Sequence, residues 1–373
     1  MPDKPSQRFV ALDGWRGICA LLVALYHFPM GGHVQVLPMF RDSYLFVDFF
    51  FVLSGFVITF AGEDRLDAGG SRVDFLWRRV ARIWPLHAFV LGVMVANEAI
   101  HWAWLEGGFN ILRMSQIPAN LLLMHGWGWA KGLSWNWPSW SLSVEMALYG
   151  LFAVGFMAVP RKARVGLAIL IVVAALTIVG LNSSRYMGAT YDYGLARGAA
   201  GFFAGYLVRR LWLVVPSRLG LWGEVAAIAL VVAFVSTARI GPWTLMAPAV
   251  FGLAVWVFAS ESGVISRVLK TSPMIKVGAW SYSIYMVHGP LIFAIKWCYA
   301  QAYPGAGSIT KLAKASHAPF LGDAMALAFT ALVLAVASVT YRHVEMPAQK
   351  AMLAWGKGRF GRHGEQRLEE QLS

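Results

Sequence analysis

Blocks of about twenty apolar residues, separated by short polar loops, follow one another along nearly the whole chain. A helix of that length spans the roughly 30 Å hydrocarbon core of a bilayer. Ten spans are predicted, at about 9–28, 43–62, 82–103, 138–160, 165–182, 192–208, 219–237, 242–260, 279–302 and 321–341. The expected fold is therefore all-α, a multi-pass membrane protein with about ten transmembrane helices. A water-soluble helical body is excluded, because so many long apolar blocks could not all be buried in a protein of this size. The membrane domain is expected over 1–350, followed by a polar cytosolic tail over 351–373. The first span carries Asp13, Arg16 and His27 with no small-residue cleavage site after it, so it is expected to remain in the mature chain.

Composition agrees with the pattern. The chain is 58% hydrophobic and 14% charged, against about 45–50% and about 25% in soluble domains. The net charge of +13 invites a nucleic-acid reading, but its distribution argues against one. With the N-terminus in the cytosol, 22 Lys and Arg fall in cytosolic segments and 7 in outer loops. That asymmetry follows the positive-inside rule and reflects topology and contact with anionic membrane lipid. It predicts a protein of the cell's inner membrane with both termini cytosolic. Cys19 and Cys298 each lie inside an apolar block and read as packing residues. No metal site is suggested, since His101 and His125 have no partner at ligand spacing. One connection is long, at about 104–137. Its short apolar stretch and its tryptophans at 127, 129, 135 and 137 predict an outer-face segment that dips toward the bilayer and covers a site.

Ionisable residues inside spans cost about 2.5–3.5 kcal/mol each at a helix centre, so they mark cavities or partners. Arg16 and His27 are eleven residues apart, on nearly one helix face and about 16 Å apart along the axis. Gly17, Ala20 and Ala24 lie between them on that face. Such a strip suits either close helix packing or a thin flexible chain lying against the helix. Asp48 is expected at the depth of His27, where it either orients the imidazole as a general base needs or is merely wetted at the interface. Arg78, Arg79 and Arg82 end the most basic short loop, and the i, i+3 pair Arg79 and Arg82 can converge on one anion. The bland reading of these arginines is positive-inside decoration. Ser141 and Glu145 share a face at i, i+4, next to Trp140. His288 lies deep in the ninth span, as a packing residue or part of a site, and Arg197 and Lys296 could each line a cavity.

Five segments together resemble the acyltransferase 3 family of integral-membrane O-acyltransferases. They are Arg8, Leu12-Asp13-Gly14, Arg16-Gly17 and Tyr26-His27; Val47 to Gly55; Arg79 and Arg82 with Pro85; Trp140 to Glu145; and Ser281 to Tyr285 with His288 and Pro290. They appear in the family's order over most of the chain. Two positions depart from its pattern: Met146 replaces a second acidic residue, and Val287 replaces a Trp before the late His. The resemblance implies a ten-helix fold, acyl-CoA (acetyl-CoA first) as donor, and a cell-surface or exported carbohydrate, or a lipid-linked sugar, as acceptor. It implies that His27 is the catalytic histidine and that Arg16, Arg79 and Arg82 serve the donor. From both readings the expected site comprises His27, Asp48 and Glu145 for catalysis, and Arg16, Arg78, Arg79 and Arg82 for the donor. Ser141, Trp140 and His288 would meet the acceptor. The pantetheine arm is expected along the Arg16–His27 strip, between the first two spans. Direct transfer and a covalent acyl-His intermediate both remain open. A transporter exporting a glycan or small molecule is the alternative, although the arginine pair has no clear role in one.

Overall fold

The structure, a computed structural model, describes residues 8–28, 31–104, 114–129, 132–303 and 319–360. The described residues contain helices and connecting turns and no strand. The principal helices are α1 (Val10–Tyr26), α2 (Phe46–Asp67), α3 (Arg72–Trp104), α4 (Trp140–Gly150), α5 (Arg161–Asn182) and α6 (Gly194–Val214). They are followed by α7 (Gly220–Ala238), α8 (Ala247–Phe258), α9 (Ser272–Ala302), α10 (Pro319–Thr340) and α11 (Met346–Phe360).

Helices α1 to α10 lie on the ten predicted apolar blocks. Six stretches, containing α2, α3, α4, α5, α7 and α10, are long and apolar enough to cross a membrane by length and composition. The other four fall short for physical reasons. The apolar stretch that ends in α8, Pro242–Phe258, is short, as is α1 at 17 residues. Charged side chains dilute α1 (Asp13, Arg16) and α6 (Arg197, Arg209, Arg210), and uncharged polar residues such as Ser281, Ser283 and His288 dilute α9. The protein is thus an all-helical membrane protein in which α6 packs on α2 and α1 packs on α9.

Glycines set two of those contacts. A Cβ on Gly55 of α2 would lie 1.8 Å from the carbonyl oxygen of Phe202, and one on Gly205 of α6 would lie 2.0 Å from that of Val52. The backbones of α2 and α6 therefore touch, as small residues in membrane helices permit. Helices α1 and α9 also come into backbone contact, since a Cβ on Gly17 would lie 2.7 Å from the carbonyl carbon of Val277. Ala20 and Ala24 are buried in the same seam, in a cluster with Ile284, Val287, Phe329 and Val333 of α9 and α10. The small-residue strip on α1 is therefore filled by helix packing, and the expected pantetheine path along it is not present.

The connection between α3 and α4 is stitched to α9 by a defect in that helix. Pro290 has no N–H, so it cannot bond the carbonyl of Met286. The side chain of Asn136 donates to that carbonyl instead, Nδ2 to O at 3.0 Å. Gly289 permits the approach, because a Cβ there would lie 2.7 Å from Asn136 Oδ1. Within the connection, Ile117–Leu121 forms a short helix, and residues 105–113 and 130–131 lie outside the described residues. The first part of the expected polar tail is helical. Helix α11 docks on α3, where Trp77 Nε1 donates to the Met352 carbonyl at 2.8 Å and the Trp77 and Trp355 rings lie 4.8 Å apart. Residues 361–373 lie outside the described residues.

Candidate active site

Helices α1, α2, α3, α4 and α9 enclose a cavity of about 200 Å³. Helix α9 lays the site out along one face, because Ser281, Tyr285 and His288 follow the i, i+4, i+7 spacing. At the first level Arg16 Nη2 donates to Ser281 Oγ at 2.9 Å, and Arg16 also meets Asp13 at 3.2 Å. Arg79 and Arg82 of α3 line the cavity with it. Arg82 pairs with Glu345 at 2.8 Å and lies over the Tyr282 ring at 5.9 Å. Ser283 Oγ donates to the other oxygen of Glu345 at 2.7 Å. Arg79 is committed least: its Nε is buried with no hydrogen-bond partner among the described residues. The cavity thus begins among three guanidinium groups, a donor set suited to phosphate oxygens.

The middle of the cavity carries a carboxylate. Glu145 Oε1 accepts from Ser54 Oγ at 2.6 Å and from the Tyr149 hydroxyl. Arg16 and Arg79 both act on Glu145 electrostatically. One turn further along α9, Ser141 Oγ and the Tyr285 hydroxyl are 2.8 Å apart, and Tyr285 donates to the Pro138 carbonyl at 2.8 Å. Phe50 packs edge-on against Tyr285, with ring centroids 6.0 Å apart.

The next level holds two imidazoles. His27 closes the C-terminus of α1, with its backbone N–H on the Val23 carbonyl. Its Nδ1 lies 3.2 Å from Nε2 of His288, and the rings are nearly parallel with centroids 5.1 Å apart. His288 is fully buried, with the Tyr285 ring against it at 5.6 Å and Trp137 near His27 at 6.2 Å. The pair stands immediately beyond Tyr285 and outside the cavity lining.

Seven expected residues therefore line or adjoin one space: Arg16, Arg79, Arg82, Ser141 and Glu145 line it, and Tyr285 places His288 with His27 just past it. Three do not. Asp48 does not face His27. Both of its oxygens are taken by Arg197, at 2.9 and 2.8 Å, and the pair is completely buried between α2 and α6. Arg197 also donates to the Ala189 carbonyl, so it ties α6 down rather than lining a cavity. Arg78 points away from the cavity, where Asp74 holds its Nε at 2.9 Å. Trp140 packs against Phe51 with Arg197 over its ring at 5.3 Å, behind the wall. The sequence reading missed Ser54, Tyr149, Tyr285 and Glu345. Tyr285 lay inside a quoted motif. Glu345 follows the last apolar block, where no helix face linked it to the site, and only the fold brings it to Arg82.

Charged and hydroxylic side chains converge inside a helical membrane protein, as a membrane enzyme or a transporter requires. The match to an acyltransferase domain model over residues 9–342 places the chain in the acyltransferase 3 family. It is 28% identical over 305 residues to acyltransferase MdmB of Streptomyces mycarofaciens, covering 72% of this chain and 76% of that protein. It is 27% identical over 259 residues to exopolysaccharide production protein ExoZ of Rhizobium meliloti, covering 65% and 74%. It is 24% identical over 322 residues to peptidoglycan O-acetyltransferase OatA of Listeria monocytogenes, covering 77% of this chain and half of that protein. No solved structure gives a significant match.

Proposed function

We propose that this chain moves an acyl group, acetyl first, from cytosolic acyl-CoA to a hydroxyl of a cell-surface or exported carbohydrate or lipid-linked acceptor. One observation carries the reading: three guanidinium groups and a hydroxyl pair share one cavity, and His288, further along the same face of α9, meets His27 of α1 just beyond it. The names of the relatives support acyl transfer, and two of them concern carbohydrate polymers. In this reading the termini face the cytosol in the inner membrane, as the distribution of Lys and Arg favours.

Arg16, Arg79 and Arg82 receive the phosphates of the coenzyme. The pantetheine arm enters past Glu145 and brings the thioester toward Ser141 and Tyr285. From Ser281 to His288 is seven residues, a rise of about 10 Å that a flexible arm can cover. His27 removes the proton of the acceptor hydroxyl as its oxygen attacks the thioester carbonyl. The C–O bond forms, the C–S bond breaks, and the CoA thiolate leaves and takes a proton back. Base assistance of this kind contributes typically 10²–10⁴-fold. The hydroxyls of Ser141 and Tyr285 orient the acceptor or the carbonyl.

The test is transfer by purified protein in nanodiscs, given radiolabelled acetyl-CoA and carbohydrate fractions from the source cell. The expected product is an alkali-labile label on one carbohydrate fraction, lost in His27→Ala. Label that stays on acetyl-CoA with every fraction, while the protein remains folded, would refute the proposal.

A further inference from the structure

We infer that His288 is the positioning residue that fixes the ring and the tautomer of His27, the part a carboxylate plays in many histidine-dependent enzymes. The inference rests on the proposed acyl transfer and adds to it. The acidic residue nearest to that role in the sequence, Asp48, is bound on both oxygens by Arg197. The His27 ring meets His288 at 3.2 Å and also lies against the Val23 carbonyl of its own helix, and among the described residues no carboxylate is bonded to it.

That contact links Nδ1 of one ring to Nε2 of the other, so one hydrogen must lie between them. If His27 is to accept a proton at Nε2, its own Nδ1 must carry that hydrogen and donate to His288. His288 then holds its proton on Nδ1. That atom is buried, and the ring lies against the backbone carbonyls of Ile284 and Tyr285 in the preceding turn of its own helix. When His27 takes the hydroxyl proton, its Nδ1–H becomes a charge-assisted donor and the bond to His288 strengthens. The proton passes from the acceptor oxygen to His27 Nε2 and later to the CoA sulfur, while His288 keeps its own.

The fold spends several contacts on holding His288 still. It is completely buried and one turn from Tyr285, whose hydroxyl is fastened to Ser141 and to the Pro138 carbonyl. Asn136 clamps the same stretch of α9 at Met286, where Pro290 has left a carbonyl free. A partner held on three sides can hold a second ring in one orientation.

The experiment is nitrogen NMR of histidine-labelled protein in nanodiscs, with His27→Gln and His288→Gln assigning the signals. Turnover is measured with acetyl-CoA and whichever carbohydrate fraction the wild type labels. Wild-type His27 is expected to carry its hydrogen on Nδ1, with a coupling across the bond to His288 Nε2. His288→Ala is expected to shift His27 toward the Nε2–H form. It should lower kcat on the order of 10²-fold, the lower end of what a positioned base contributes, with KM for acetyl-CoA unchanged. His288→Gln retains an acceptor and should recover part of both signals, and it replaces the alanine variant should that one fail to fold. A wild-type His27 with bare Nδ1 and hydrogen on Nε2 overturns the inference. So does wild-type kcat in His288→Ala where His27→Ala is inactive. A wild type that labels no carbohydrate fails the transfer reading instead, and the tautomer and coupling still decide the pairing.

Discussion

Asp48→Asn separates a structural carboxylate from a catalytic one. The substitution keeps shape and removes charge, leaving the Arg197 guanidinium, 2% exposed, without a counter-ion. Breaking a buried pair by removing one partner costs about 3–5 kcal/mol. Arg197 retains its bonds to the Ala189 and Tyr44 carbonyls, and Asn still accepts one, so the lower end applies, about 3 kcal/mol. That is a large part of a typical stability of about 5–15 kcal/mol. It corresponds to a melting temperature lower by about 4 °C for a chain of 373 residues. The assay is a thermal melt in nanodiscs together with turnover per folded molecule. The expected result is a lower melt with kcat per folded molecule near the wild-type value. Arg197→Gln in the same chain removes the unpaired charge and should return much of the lost stability. An Asp48→Asn protein with a wild-type melt and a hundredfold loss of kcat would refute the reasoning and restore Asp48 to the side of His27.

Four further outcomes are expected. Arg79→Ala removes the cavity guanidinium with the fewest protein partners, and a charged hydrogen bond is worth about 1.5–3 kcal/mol; KM for acetyl-CoA should rise about tenfold or more at little changed kcat, measured by initial rates. Gly205→Ala should yield little folded protein, read by size-exclusion profile, because its Cβ would meet the Val52 carbonyl. Ala24→Leu should lower the melting temperature by an overpacking cost of about 1–3 kcal/mol and leave acetyl-CoA binding intact, since the seam it fills carries no donor. His125, in the connection before α4, is pulled down to about 4 by burial and then by the neighbouring His87 ring. Its ordinary value is about 6.5, so the folded form resists the proton. Stability should be complete above that value and fall as pH drops from there toward 4. Melts at pH 7 and pH 5 check this, and His125→Gln should flatten the difference.

The helices were legible in the sequence because a bilayer imposes one length and one composition on each. The same rule explains where hydropathy fails. Helices α1, α6 and α9 carry the polar residues that build the site and its support, and so look least like spans. Helix periodicity placed Arg79 with Arg82 and Ser141 with Glu145, because those pairs lie on single helices. It could not choose partners across helices. Asp48 could be set at the depth of His27, but whether it faced α1 or α6 depended on Gly55 and Gly205 letting α6 close in and deliver Arg197. The strip of small residues on α1 fitted two readings equally, and only the position of α9 decides for packing. Glu345 was invisible as a site residue, because it lies past the last apolar block, where α10 runs on through a π-helical stretch at Tyr341–Glu345 into α11 and there meets Arg82.

Equilibrium binding of radiolabelled acetyl-CoA to the purified protein in nanodiscs tests the central claim most directly, with His27→Ala and Arg79→Ala alongside the wild type. A donor held by the arginines and consumed at the histidine predicts wild-type affinity in His27→Ala and weakened binding in Arg79→Ala. Wild-type binding in a folded Arg79→Ala protein, with binding lost in His27→Ala, would contradict it.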